Sequence, residues 1–211
     1  MWAWDNNAEG NLGNGTTTDS SVPVRIPNLI GVTAIASKGG TAYALRSDGT
    51  VWAWGGNNTG QLGNGSGGVG SRTPIPAPVS GLTGVTTIGT GPFAAYAVRA
   101  DGTLWAWGQN WNGQLGIGSI SVPGLEVTRP VRVVGLTDVT AVVGGDENGY
   151  ALRSDGTVWA WGGNNAGQLG NGTTGGDVPV PPVVPGLTGT TAIGAGLDVA
   201  YAIAPSCFRA L

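Results

Sequence analysis

Histidine is absent from this chain, and cysteine and lysine occur once each, as Cys207 and Lys38. Without histidine there is no imidazole ligand and no imidazole base. One cysteine can form neither an intrachain disulfide nor a cysteine-based zinc cluster. Charge is scarce as well, at 10 % of residues against about 25 % in ordinary globular chains. Nine basic residues face twelve acidic ones, for a net charge of −3, and no basic run occurs. Nucleic acid and anionic membrane are therefore not expected as partners. No apolar run approaches the ~18 residues that span a bilayer. Met1 leads directly into Trp2-Ala3-Trp4, with no charged leader and apolar core, so no secretory signal is visible. The expected compartment is the cytoplasm, or the extracellular space if the true N-terminus lies upstream. No stretch has the spacing and caps of an amphipathic helix, so almost no helix is expected.

What the chain does hold is glycine. The 41 glycines and 13 prolines make up about a quarter of the sequence, a level that by composition alone hints at disorder. Disordered chains combine low hydrophobicity with high charge; this one is 40 % hydrophobic, carries nine tryptophans and has little charge. The glycine must then be ordered by a pattern, and a repeat supplies it. Trp-Ala-Trp starts at Trp2, Trp52, Trp105 and Trp159, and Tyr-Ala at Tyr43, Tyr96, Tyr150 and Tyr201. Asp-Gly-Thr starts at Asp48, Asp101 and Asp155. Gln-Leu-Gly starts at Gln61, Gln114 and Gln168, with Asn11-Leu12-Gly13 as an earlier copy. Registered markers at a period near 50 residues point to a propeller or a similar array.

Within one unit, four short β-rich runs follow each other: Pro23 to Leu29, Val32 to Ala36, Thr41 to Arg46 and Thr50 to Trp54. Asp48-Gly49 between the last two reads as a two-residue type I′ hairpin turn. Val51-Trp52-Ala53-Trp54 places both indoles on one strand face and Val and Ala on the other, so both faces are apolar. A blade sandwiched between two neighbours needs two buried faces; a half-exposed sandwich strand would keep one polar. Four strands per unit make a propeller blade.

The stretch Ala44-Leu45-Arg46-Ser47-Asp48-Gly49-Thr50-Val51-Trp52-Ala53-Trp54-Gly55, continuing to Gly60-Gln61-Leu62-Gly63, resembles a bacterial-type RCC1 (regulator of chromosome condensation) repeat. The resemblance runs from Trp2 to about Ala204. It implies an all-β, RCC1-like β-propeller, here of about four blades with four antiparallel strands each. Residues 1–204 would form the array and 205–211 a non-repeat tail. Two departures stand out. Relatives usually carry a histidine just before the Tyr-type strand, where this chain has Thr41, Ala94, Asn148 and Val199. Family propellers typically have seven blades. The array here opens on a Trp strand and closes on the strands that would precede one, so its ends are complementary. Three arrangements fit: a piece of a longer propeller, a four-bladed ring closed by pairing of the N- and C-terminal segments, or an eight-bladed ring built by a homodimer.

The recurring Asp48, Asp101 and Asp155 invite a catalytic or calcium-binding reading, but Asp before Gly is favoured in turns because its carboxylate caps nearby N–H groups. The Asp-box of sialidases spaces Asp, Gly and Thr apart, whereas here they are contiguous. Arg46, Arg99 and Arg153 recur at equal places, which fits a structural role. The Gly65–Gly70 run lacks the Lys-Ser/Thr and the helix of a phosphate loop, and Cys207 has no histidine to activate it. No catalytic residue, metal site or cofactor is expected.

Residues that break the repeat are the candidates for binding. Trp111 stands where other copies have Asn58 and Asn165, and an indole in a polar loop is a natural anchor. Phe93, Asp146 and Glu147 occupy the variable turn before the Tyr-type strand. Arg72 and Arg129 lie in or beside the longer loops. Equivalent loops of equivalent blades emerge on one side, so these residues would share a face. The expected function is a non-catalytic platform for an unidentified protein partner. The resemblance also implies a guanine nucleotide exchange factor for a small GTPase as an alternative, although no copy carries a large insertion. Carbohydrate binding through Trp111 is a third.

Overall fold

The computed structural model describes residues 1–205. Cys207 and most of the 205–211 tail lie outside them. Strand β1 (Trp2–Asp5) pairs antiparallel with β2 (Ser20–Arg25). A four-stranded meander follows: β3 (Val32–Lys38), β4 (Thr41–Arg46), β5 (Val51–Gly56) and β6 (Arg72–Pro78). The next has the same order, with β7 (Val85–Thr90), β8 (Ala94–Arg99), β9 (Leu104–Gly108) and β10 (Val127–Arg132). β11 (Val139–Gly144), β12 (Asn148–Arg153) and β13 (Val158–Gly162) make a third sheet. Its fourth position is held by isolated bridges from Gly162 to Val178 and from Trp159 to Val183, with Ala160 N–H donating to Pro182 O at 3.1 Å and Val184 N–H to Val158 O at 2.7 Å. β14 (Ala192–Ala195) and β15 (Ala200–Ile203) form a last pair. No helix occurs among the described residues.

The first strands of successive sheets, β3, β7, β11 and β14, lie against one another in turn. The sheets thus fan around an axis as propeller blades. The core sits between them. One cluster joins Tyr43, Leu45 and Val51 of one blade to Val85, Ala97 and Trp107 of the next, and another repeats the junction one blade on, with Tyr96 and Trp161. Both faces of β5 are covered, as the alternation requires: Val51, Ala53 and Trp54 are buried and Trp52 is half-buried, whereas Trp2 and Trp4 of β1 are exposed.

Two sequence expectations are corrected. First, the unit is shifted by one strand. The Pro23–Leu29 segment pairs back onto β1, and the blade runs instead from β3 to β6. Sequence periodicity fixes the length of a repeat but not where the structural unit starts, because the outer strand belongs to the preceding Trp strand. Second, the Asp-Gly turn is not type I′. Gly49 has φ of +76° but Asp48 is not in the positive region. The bonds Gly49 N–H to Arg46 O and Arg46 N–H to Thr50 O define a three-residue loop with glycine at the left-handed bulge position. Asp48 accepts from the backbone N–H of Thr50 at 3.0 Å and from its hydroxyl at 2.6 Å, and that capping holds Asp48 right-handed. The sequence left a partial or a closed propeller open. Among the described residues β1 pairs only with β2 and β15 only with β14, so the chain is a partial propeller.

Candidate functional site

Antiparallel meanders give the array two unlike faces. One carries the Asp-Gly-Thr hairpins, and these are built alike. Arg46 donates from Nε to Ile30 O at 2.8 Å, pairs with Asp48 at 3.2 Å and sits 5.5 Å from the Trp52 ring. Arg153 does the same with Thr137 O, Asp155 and Trp159. Arg99 stacks 4.3 Å from Trp105. Each half-buried indole donates to the hairpin threonine, as Trp105 does to Thr103 at 3.1 Å. The Thr50 hydroxyl and N–H, and then Arg46, hold the Asp48 carboxyl below the usual carboxylate range. Thr103 and Thr157 act likewise on Asp101 and Asp155. Each aspartate is occupied by its hairpin threonine, and Arg46 and Arg153 pair with Asp48 and Asp155, while Arg99 donates to Gly81 O at 3.1 Å; this is the structural role read from the repeat.

The other face carries the turns between the first two strands of each blade and the Gln-Leu-Gly loops. A buried asparagine organises each loop. Asn110 donates to Ser119 O at 2.8 Å and accepts from Leu115 N–H at 3.1 Å; Asn7, Asn57 and Asn164 hold Leu12, Leu62 and Leu169 in the same way. The Gln carbonyl then ties two blades together. Gln61 O accepts from the Tyr43 hydroxyl at 2.8 Å and from the Trp107 indole N–H of the next blade at 2.7 Å. Gln114 O does so with Tyr96 and Trp161, each at 2.7 Å. The two rings of each pair meet edge to face, with centroids 6.1 Å apart. The loop glycine makes room for the indole: a Cβ on Gly63 would lie 2.8 Å from Trp107 Nε1. Burial raises the Tyr43 and Tyr96 hydroxyls far above the ordinary value, and that of Tyr150 to about 12. They act as hydrogen-bond donors, not as acids.

These buried asparagines were missed in the sequence, although each stands four residues before the Gln or Asn of its loop. Of the four residues noted at this register position, Thr41 donates to Gly56 O at 2.9 Å and Asn148 to Gly163 O at 3.3 Å, tying each to the end of its Trp strand, whereas Ala94 and Val199 have no side-chain donor.

The six residues proposed for binding all fall toward the loop face, but not as one cluster. Phe93, Asp146 and Glu147 lie in turns nearest the axis. Those turns touch in series: Gly39 meets Pro92, Gly91 meets the Gly145 carbonyl, and Asp146 N–H donates to Leu197 O at 3.0 Å. Trp111 is partly exposed in the loop of the same blade as Phe93. Arg72 and Arg129 are exposed on the outermost strands β6 and β10, away from the axial group. Arg129 covers Gly65 of the preceding blade's loop. Burial, and then Asp146, Asp177 and Asp198, raise the Glu147 carboxyl above its ordinary value, which marks an acidic field at this end of the face. Lys38 was not anticipated here. Its ammonium reaches from the end of β3 to Gly144 O at 3.1 Å and Gly196 O at 3.4 Å, and so links three blades at the axis.

Four-stranded meanders fanned about an axis in this way define a β-propeller fold. The family model described as the Regulator of chromosome condensation (RCC1) repeat matches residues 48–98, 101–152 and 155–203, and a second model of that description matches 32–61 and 139–168. The chain belongs to the RCC1-repeat family. It is 32 % identical over 201 residues to the E3 ubiquitin-protein ligase HERC2 of Homo sapiens, covering 90 % of this chain and 4 % of that protein. It is 37 % identical over 90 residues to the Protein RCC2 homolog of Danio rerio, covering 42 % of this chain and 18 % of that one. The crystal structure of Prp20p from Saccharomyces cerevisiae superposes with a TM-score of 0.81 at 22 % identity, over 98 % of this chain and 52 % of that one. The chain therefore spans about half of that solved chain and under a fifth of these curated relatives.

Proposed function

We propose that the chain is a non-catalytic protein-binding platform and that the loop face is where the partner sits. The observation that carries this reading is the division of labour between the faces. Repeated side chains are consumed by the blade joints and the hairpin face, whereas Phe93, Trp111, Asp146 and Glu147, which occur once each in the repeat register, stand on the loop face. Two partly exposed aromatics beside a group of carboxylates suit a protein segment carrying basic side chains: the rings supply desolvated contact area and the acids supply direction. The solved relative Prp20p is described as binding Gsp1p and histones, which supports protein partners for this kind of array.

The test is affinity capture with matched variants. Trp111→Ala and Glu147→Lys should each lower recovery of captured protein at least ten-fold while the thermal transition stays within a few degrees of the parent. Arg132→Ala, on an outermost strand, should leave recovery unchanged. Equal recovery with all three proteins would remove the loop face as the site. Acceleration of nucleotide release from a small GTPase would replace the scaffold reading with exchange activity.

A further inference from the structure

One segment on the loop face differs from its siblings in chemistry. After each Gln-Leu-Gly or Asn-Leu-Gly turn the chain runs outward, through residues 16–19, 66–71 and 173–177 in three of the copies. These are built from Thr, Ser, Gly and Asp, with Val69 as the single apolar side chain. The copy at 119–126 instead holds Ile120, Val122 and Leu125, which are 48 %, 60 % and 69 % exposed. The segment is well tied. Ser119 O accepts from Asn110 Nδ2 at 2.8 Å, Leu125 N–H donates to Val122 O at 3.0 Å, and Gly124 N–H donates to Glu126 Oε1 at 2.8 Å. Three aliphatic side chains are thus held in water by an ordered backbone, where a solvated loop would carry polar ones.

Trp111 adjoins this segment. Ser121 N–H donates at 2.8 Å to Asn110 O, in the peptide that carries Trp111. In the preceding blade Asn58, at the register place of Trp111, accepts from Gly70 N–H at 2.7 Å, so a side chain at this place leans on the loop. On its other side the chemistry turns acidic. Asn112 Nδ2 reaches Asp177 Oδ1 of the next blade at 3.5 Å. Asp177 precedes Val178, which is bridged to Gly162, and Glu147 Oε2 lies 3.0 Å from the Cβ position of Gly163. Neither carboxylate makes an ion pair among the described residues. The strip therefore changes from aliphatic, through an indole, to anionic. It lies on the β7–β10 and β11–β13 sheets, each with a neighbouring sheet on both sides, away from the ends of the chain.

We propose that this strip docks an amphipathic protein segment, with apolar side chains seated on Trp111, Ile120, Val122 and Leu125 and lysine or arginine side chains directed at Asp177 and Glu147. The inference rests on the reading that the loop face binds protein; it adds where on that face the segment lies and which way round. The occupant follows from the two chemistries. Aliphatic side chains offer a sugar no hydrogen bond, and an anionic membrane would be repelled by the carboxylates. A segment with apolar and cationic ends meets both, the apolar end supplying contact area and the cationic end supplying orientation.

Panning a displayed random-peptide library on the chain should enrich sequences with aromatic or aliphatic residues at one end and Lys or Arg at the other. A synthetic peptide of the commonest enriched sequence is then the probe for fluorescence anisotropy. Combined Ile120→Ser, Val122→Ser and Leu125→Ser should weaken its binding about ten-fold or more, with the thermal transition kept. Combined Glu147→Lys and Asp177→Lys should weaken it similarly and remove its salt dependence. Val69→Ser, on the exposed loop of the preceding blade, should leave it unchanged. No enrichment, enrichment of acidic sequences, or full affinity in the triple-serine variant would overturn the proposal. Loss with Trp111→Ala and the lysine pair but not with the serines would overturn this placement and leave the platform reading standing. Full affinity in every variant would remove both.

Discussion

At the residue scale the loop glycines and asparagines do what the tryptophans cannot do alone. Gly63 combines φ of +63° with a Cβ position 2.8 Å from Trp107 Nε1, whereas Gly81, at φ +67°, faces open space. Gly81→Ala should therefore cost only the left-handed strain, about 1 kcal/mol. Gly63→Ala adds displacement of a buried indole and the loss of its hydrogen bond, and should cost roughly 3 kcal/mol or more. Urea unfolding of the two variants checks the contrast, and equal midpoints would show that the indole joint adds nothing. Asn110→Ala leaves the buried Leu115 N–H without its side-chain partner and removes the bond to Ser119 O. It should destabilise by about 2–4 kcal/mol, read in the same titration.

At the element scale the blade was legible before any coordinates, because Trp-Ala-Trp, Asp-Gly-Thr and Gln-Leu-Gly recur in order and each marks one place in a meander. The starting point of the blade was not legible. The partner of Pro23–Leu29 is the Trp strand before it, and periodicity is blind to a cyclic shift. The turn type was missed for a local reason: the Asp48 carboxylate bonds Thr50 and so keeps Asp48 out of the left-handed region that a type I′ turn demands. Those hairpins also set a pH dependence. The carboxyls of Asp48, Asp101 and Asp155 are held below the ordinary 3.8. Their contribution to stability is thus complete above that value and is lost as pH falls through the lowered ones. Melting temperature should drop on acidification below about pH 4. The drop should be shallower in the triple Asp→Asn variant; identical slopes would mean the hairpin carboxylates do not act. Glu147 runs the other way, since its raised value favours the protonated form in the folded state.

At the scale of the whole molecule, one stretch of sequence serves two purposes that separate onto two faces. Phe93, Trp111, Asp146 and Glu147 could be picked out because they interrupt a pattern. Arg72 and Arg129 interrupt it too, yet they end on outer strands. A linear register records that a residue is unusual but not its distance from the axis. Lys38 went unnoticed for the opposite reason: its reach across three blades depends on curvature that no local motif encodes. The predicted loss of partner capture in Trp111→Ala belongs to this scale, since it depends on how blades are arranged and not on how each is built.

The carbonyl shared by a tyrosine and by the next blade's tryptophan has a further consequence, for how such a chain can lengthen. Any two equivalent points, some fifty residues apart, enclose one Tyr donor, one Trp donor and one loop acceptor, wherever the cut is made. Copying that segment in frame adds one complete joint and leaves the existing joints intact. Growth by duplication therefore requires no new interface to be invented, and the number of blades can change while the chemistry that joins them stays the same.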